Sequence, residues 1–252
     1  MAVAVNLRPA ITAVGPVLTG IERTTGLSAA SAGLLTTLPV LAFGLCSPLA
    51  PAIARRYGIE ATVAGSLVVL VAGLAVRAAP SVALLFLGTA AAGVAIAAGN
   101  VLVPAVIKRD FPLRARVATG TYSVALSAGA ALAAGVSVPL THSIGGGWRL
   151  GIAFWAAPAM VALVLWVAAT SGSHHAISPM HAPARLWRDP LAWQVTVFMG
   201  LQSLGFYALV AWIPTIFQQH GVSASTAGWL LSLSGFASLP AAFAAPLLAT
   251  GP

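Results

Sequence analysis

Charge is what this sequence has least of. Charged residues make up 6% of its 252 positions, and only four are acidic: Glu22, Glu60, Asp110 and Asp189. An ordinary soluble domain is about 25% charged, so a water-facing globule of this size is excluded. All four carboxylates fall at the ends of apolar runs or between them. No proton-relay carboxylate, of the kind many carriers bury at membrane depth, is therefore visible. A single cysteine, Cys46, sits inside an apolar run, which excludes an intrachain disulfide and reads as a small packing residue. No basic leader precedes the first apolar run and no small-residue cleavage site closes it, so a signal peptide is not expected. The first run begins almost at Met1 and the last stops at Gly251-Pro252, and both ends are expected to be cut.

What is present is apolar. Hydrophobic residues account for 59% of the chain and the mean hydropathy is +0.96, which points to a polytopic membrane protein with the lipid bilayer as its surroundings. A membrane-spanning helix needs about 20 mainly apolar residues. Eight runs qualify, at approximately 2–21, 30–53, 61–78, 81–106, 116–140, 149–169, 191–217 and 226–249. The fold expected is all-α, a membrane helical bundle. The polar stretch 170–190, rich in Gly, Pro and Ser, divides a first six-helix half (1–169) from the first two helices of a second half (191–252).

The net charge of +8 does not indicate nucleic acid, because the basic residues lie in short gaps between apolar runs rather than on one face. Arg55, Arg56, Lys108, Arg109, Arg114, Arg116, Arg185 and Arg188 fall in connectors on one side, and Arg23, Arg77 and Arg149 on the other. This asymmetry makes the first side, including the 170–190 linker, cytoplasmic and places the protein in the cell inner (plasma) membrane. Trp148, Trp166, Trp187 and Trp193 fall near run ends, where aromatic belts form. Trp155 and Trp212 lie deeper and are expected to pack.

An internal repeat is visible. The stretch from Gly26 to Leu35 resembles the stretch from Gly221 to Leu230 at an offset of 195 residues, and Pro51 meets Pro246 at the same offset. An even number of spans per copy keeps both copies in one orientation, so the repeat is parallel. Two six-helix repeats would make twelve helices, of which about eight are present here.

Polar residues inside the runs are the candidates for function. Arg8, in Asn6-Leu7-Arg8-Pro9, places a permanent charge between Ala2–Val5 and Ala10–Leu18. Such a charge costs about 3 kcal/mol on insertion scales and more on an isolated helix, so it should face protein or a wet cavity. Arg8, Thr12, Gly15 and Thr19 share one helix face. Asn100 lies on a similar stripe of the fourth run, Tyr122 and Ser123 lie in the fifth, and Gln202 and Tyr207 lie in the seventh. For the Ser and Thr residues, hydrogen bonds between helices are the simpler expectation. Ala125, Gly129 and Ala133, like Gly93 and Ala97, mark tight helix contacts, and Pro39, Pro48, Pro104, Pro139, Pro158 and Pro240 are expected to kink their helices. His174, His175 and His181 have no further ligand partner and read as a solvated loop. No hydrolytic constellation and no cofactor-binding loop are found, so an enzyme is not expected.

Asn6-Leu7-Arg8-Pro9 with Gly15-Pro16, Gly99-Asn100-Val101-Leu102-Val103-Pro104 leading into Lys108-Arg109-Asp110-Phe111-Pro112, and Tyr122-Ser123 resemble the cyanate and nitroimidazole transporter (CynX/NimT) branch of the major facilitator superfamily. The resemblance implies a carrier of two six-helix halves with a central site of alternating access. The superfamily's charged loop between helices two and three is altered, with Arg55, Ile59 and Glu60 in its usual acidic and basic slots. The expected function is secondary transport of a small anion or nitro-aromatic solute by a monomer. Arg8, Asn100, Tyr122, Gln202 and Tyr207 would bind the substrate. A non-transporting membrane sensor, an assembly partner or a channel is the competing class.

Overall fold

The computed structural model describes residues 1–143, 147–171 and 189–248. Among them eight helical segments are long and apolar enough to cross a membrane: Ala2–Thr25, Ala29–Cys46, Ile59–Val76, Val82–Asp110, Pro112–Thr141, Gly147–Thr170, Pro190–Gln219 and Ala224–Ala245. They are called the first to eighth spans below. They match the eight runs read from hydropathy, and the chain is an all-α, multi-pass membrane bundle. The histidines of the 170–190 linker and Trp187 lie outside the described residues.

Local sequence sets the span boundaries. Ser28 Oγ accepts the Ser31 backbone N–H at the start of the second span, and Ser223 does the same for Thr226 at the start of the eighth. Each cap satisfies a donor that the first helical turn leaves without a partner. The turns before them rest on Gly26 (φ +70°) and Gly221 (φ +85°), a left-handed conformation open to glycine at little cost. The two loops that match at the 195-residue offset thus share their turn and their cap.

Prolines act unequally. The helices run on through Pro39, Pro104 and Pro139. The second span stops at Cys46 and resumes as Leu49–Tyr57 after Pro48, and the eighth restarts at Leu239, beside Pro240. The strongest interruption is in the first span, which is built as Ala2–Leu7, Pro9–Thr12, a 3-10 turn Gly15–Val17 and Leu18–Thr25. Pro9 and Pro16 have no N–H to donate, and the backbone between them tightens: Ile11 N–H donates to the Arg8 carbonyl (3.0 Å) and Val14 N–H to the Ile11 carbonyl (3.2 Å).

This broken first span is the centre of the bundle. Its apolar window is 78% buried, against 11% for the seventh span. Val3, Ala4, Leu7, Ala10 and Ile11 share one core cluster with Leu67, Leu70, Leu74, Ile96, Leu102 and Leu126. Helices approach closely where side chains are small. A Cβ on Gly93 would lie 2.7 Å from the Pro39 Cα, and one on Gly228 would lie 2.6 Å from the Ala134 carbonyl oxygen. Gly129 meets the backbone of Val5. The tight contacts expected at Gly93 and Gly129 are present. Trp155 packs as expected, buried in the core with its indole N–H donating to Ser137 Oγ (3.2 Å).

Candidate functional site

Arg8 sits at the junction between the first two helical pieces of the first span. The interruption at Pro9 sets the backbone direction there, and the side chain leaves the core towards the seventh span. Its guanidinium carbon lies 4.6 Å from the centre of the Phe206 ring. Such a contact is worth about 0.5–2 kcal/mol, more as the pair is desolvated. Arg8 makes no ion pair with a described carboxylate. The ring offers its negative face but no hydrogen-bond acceptor in the guanidinium plane, so the N–H donors of Arg8 are left to other partners.

Two more of the expected residues stand beside it. The Tyr122 hydroxyl donates to Asn100 Oδ1 (3.2 Å), and the Asn100 amide donates to the Ile96 carbonyl (3.1 Å) on its own helix. That second bond fixes which way the Asn100 amide faces. Tyr207 packs edge-on against Phe206, ring centres 5.3 Å apart, and lies against the core cluster that contains Tyr122. Arg8, Asn100, Tyr122 and Tyr207 therefore form one neighbourhood. Gln202 does not join it by contact. It is exposed, one helical turn before Phe206.

The stripe on the first span faces the seventh span. Gly15 allows close approach: a Cβ there would lie 2.8 Å from the Val210 carbonyl oxygen. Thr19 Oγ1 donates to Gln218 Oε1 (2.7 Å), and the Gln218 amide reaches the Pro16 carbonyl (3.4 Å). The two spans are thus sealed from Gly15 to Thr19, at the end of the bundle that carries Arg23 and Arg149. Towards the opposite end the seventh span loses its cover, and between Leu191 and Leu209 no residue is fully buried. Arg8 lies where the seam opens.

Most other membrane-depth hydroxyls bond within their own helix rather than between helices, contrary to the simpler expectation. Thr12 donates to the Arg8 carbonyl and Thr89 to that of Leu85, while Ser137 donates to the Ala133 carbonyl and also accepts from Trp155 of the sixth span. Thr19 is an exception, and it lies on the seam.

A separate cavity of about 570 Å³ lies beyond the seam, lined by Thr19, Arg23, Thr24, Thr141, Trp148 and Gln218 among others. The Trp148 indole N–H donates to Thr24 Oγ1 (2.7 Å) on its wall. It is not the Arg8 site, since neither Arg8 nor any of its neighbours lines it. At the other end of the bundle the altered loop makes a charge pair of its own. Arg109 bridges Glu60 and Asp110, at 2.6 Å each.

Sequence reasoning missed two partners. Phe206 looked like any apolar residue on a span, though its neighbour Tyr207 was noted. Gln218, at the end of the seventh span, carries no signal in the sequence, because its partner Thr19 lies in a distant span.

A broken, central first helix thus packs on the seventh span of a membrane bundle, with a polar cluster at one end of their contact. The Major Facilitator Superfamily model matches residues 6–251, and the chain belongs to that superfamily. It is 44% identical over 248 residues to an uncharacterized transporter, YycB, of Bacillus subtilis. It is 42% identical over 248 residues to the 2-nitroimidazole transporter of Escherichia coli and 33% identical over 252 residues to that organism's cyanate transport protein CynX. These matches cover 97–98% of this chain and 62–65% of the relatives, so the chain spans less than two thirds of their length.

Proposed function

We propose that the protein is a secondary carrier, acting as a monomer in the inner (plasma) membrane. It would move a small solute bearing a compact, delocalised negative group, with Arg8 as the principal contact. The observation that carries this is the Arg8 guanidinium, held over Phe206 at membrane depth without a described carboxylate partner. A half-buried guanidinium is stabilised by an acceptor that matches its planar fork. Cyanate supplies a full negative charge, and the nitro group of 2-nitroimidazole supplies two partially negative oxygens in one plane. A guanidinium site therefore suits the solutes for which the two Escherichia coli relatives are named.

Tyr122, Asn100 and Tyr207 would complete the polar wall around the solute, with Gln202 entering as the seventh span closes over it. The basic connectors would face the cytoplasm, including the 170–190 linker between a six-helix first half and the start of a second. The matched turns and caps at Gly26 and Gly221 support a parallel repeat. In that orientation the Gly15–Thr19 seam lies towards the outer end and Arg8 towards the cytoplasmic end. Alternating access then requires the seam to part while the opposite ends of the first and seventh spans close.

The test is uptake of labelled cyanate and of 2-nitroimidazole into proteoliposomes. Arg8→Ala and Arg8→Lys, both correctly inserted, are expected to lose at least tenfold in uptake, because Lys keeps the charge but not the fork. Uptake by both variants at the wild-type rate would overturn the proposal.

A further inference from the structure

Arg77 follows the last residue of the third span. An arginine at a span end ordinarily extends its charged head towards the membrane surface. Arg77 does the opposite. It is 1% exposed and is among the largest fully buried side chains of the protein. Its route inward is open because of two glycines. Gly73 and Gly88 bring the third and fourth spans into backbone contact, and a Cβ on Gly88 would lie 3.2 Å from the Arg77 Cγ. The stem of the arginine passes over that glycine to the first span.

There the guanidinium meets a defined partner, with Nη1 donating to the Ala10 carbonyl (2.7 Å). Ala10 is one of the carbonyls left over by the broken helix. In an unbroken helix the Val14 N–H would bond it, but here that N–H goes to Ile11. A buried carbonyl without a donor is destabilising. Arg77 Nε and Nη2 are buried with no hydrogen-bond partner among the described residues. Burying a cation on these terms is unfavourable, and the one bond it makes fixes the backbone two residues beyond Arg8.

We propose that Arg77 is a positioning residue for the solute site: by holding the Ala10 carbonyl it keeps the first span in its interrupted form and so sets the direction of the side chain at position 8. The backbone role stands on the geometry alone. Its consequence for transport rests on the reading of Arg8 given above.

The experiment reads position 8 without any solute. In a Cys46→Ser background, Arg8→Cys is introduced and its rate of reaction with a maleimide is measured in purified protein. Leu113→Cys, at a 99% exposed position, serves as the control. Adding Arg77→Met is expected to change the rate at position 8 at least fivefold and to leave the control within twofold. Adding Arg77→Lys, which keeps a donor on a long stem, is expected to hold the position 8 rate within twofold of the background. An unchanged rate with Arg77→Met, or equal changes with Met and Lys, would overturn the proposal. If Arg77→Met does not accumulate in the membrane, Arg77→Gln, too short to reach the Ala10 carbonyl, takes its place: at least a fivefold change at position 8 supports the role and an unchanged rate refutes it. Because no solute is involved, failure here is distinct from failure of the Arg8 substrate reading, which the uptake assay tests.

Discussion

Gly15→Ala should loosen the seam between the first and seventh spans. Its new Cβ would lie 2.8 Å from the Val210 carbonyl oxygen and 3.6 Å from that of Ala211. Both are backbone atoms of a long helix and cannot swing aside as a side chain would. Restoring ordinary contact requires the helices to separate by roughly half an ångström or more at that point, and overpacking of this kind costs about 1–3 kcal/mol. In the state where the seam is parted the added methyl meets no such obstacle, so the cost falls on the closed state. At 1.4 kcal/mol per tenfold, the ratio of closed to parted forms should fall by about 5- to 150-fold. The assay is the distance between spin labels at Arg23→Cys and Gln219→Cys, both exposed and facing the cavity beyond the seam, in a Cys46→Ser background. Gly15→Ala is expected to move population from the short distance to a longer one. An unaltered distance distribution in a folded, inserted protein would refute the reasoning.

Thr19→Val removes the 2.7 Å bond to Gln218 while keeping the shape. A loss of about 0.5–1.5 kcal/mol predicts a two- to tenfold shift in the same spin-label measurement, smaller than that of Gly15→Ala. Tyr122→Phe leaves Asn100 Oδ1 without its donor and should weaken solute affinity two- to tenfold, read as a rise in the KM for uptake; an unchanged KM would remove Tyr122 from the site. Gly73→Ala would set a Cβ 2.8 Å from the Gly88 carbonyl oxygen and 3.1 Å from the Ala92 nitrogen. A cost of about 1–3 kcal/mol should lower the Tm of the purified protein by at least about 2 °C, and an unchanged Tm would show that the third and fourth spans are not in tight backbone contact.

The spans were legible because hydropathy responds to the membrane itself, and a run such as 81–106 has no other environment open to it. Arg8, Asn100 and Tyr122 were legible for the converse reason: a polar group in an apolar run must find a polar partner, and Tyr122 and Asn100 found each other. Phe206 was not legible. An aromatic ring on a span looks the same whether it faces lipid or a guanidinium, and only its position 4.6 Å from Arg8 separates the two. Arg77 was read as a surface charge because its place in the sequence, just past a span, is where such charges belong. Its inward turn depends on Gly73 and Gly88 clearing a path, and no periodicity in one segment encodes a path between two. The hydroxyl-bearing residues were expected to join helices, and Ser137 does so through Trp155, yet Thr12 and Thr89 bond to their own helices, because a carbonyl one turn back is always within reach.

Equilibrium binding tests Arg8 as the principal contact for the solute without the complications of flux. Isothermal titration of both probe solutes into purified protein should show a Kd at least tenfold weaker for Arg8→Gln than for the wild type. That figure matches the loss of about 1.5–3 kcal/mol expected for a hydrogen bond to a charged group. Equal affinity in a folded Arg8→Gln protein would contradict the account.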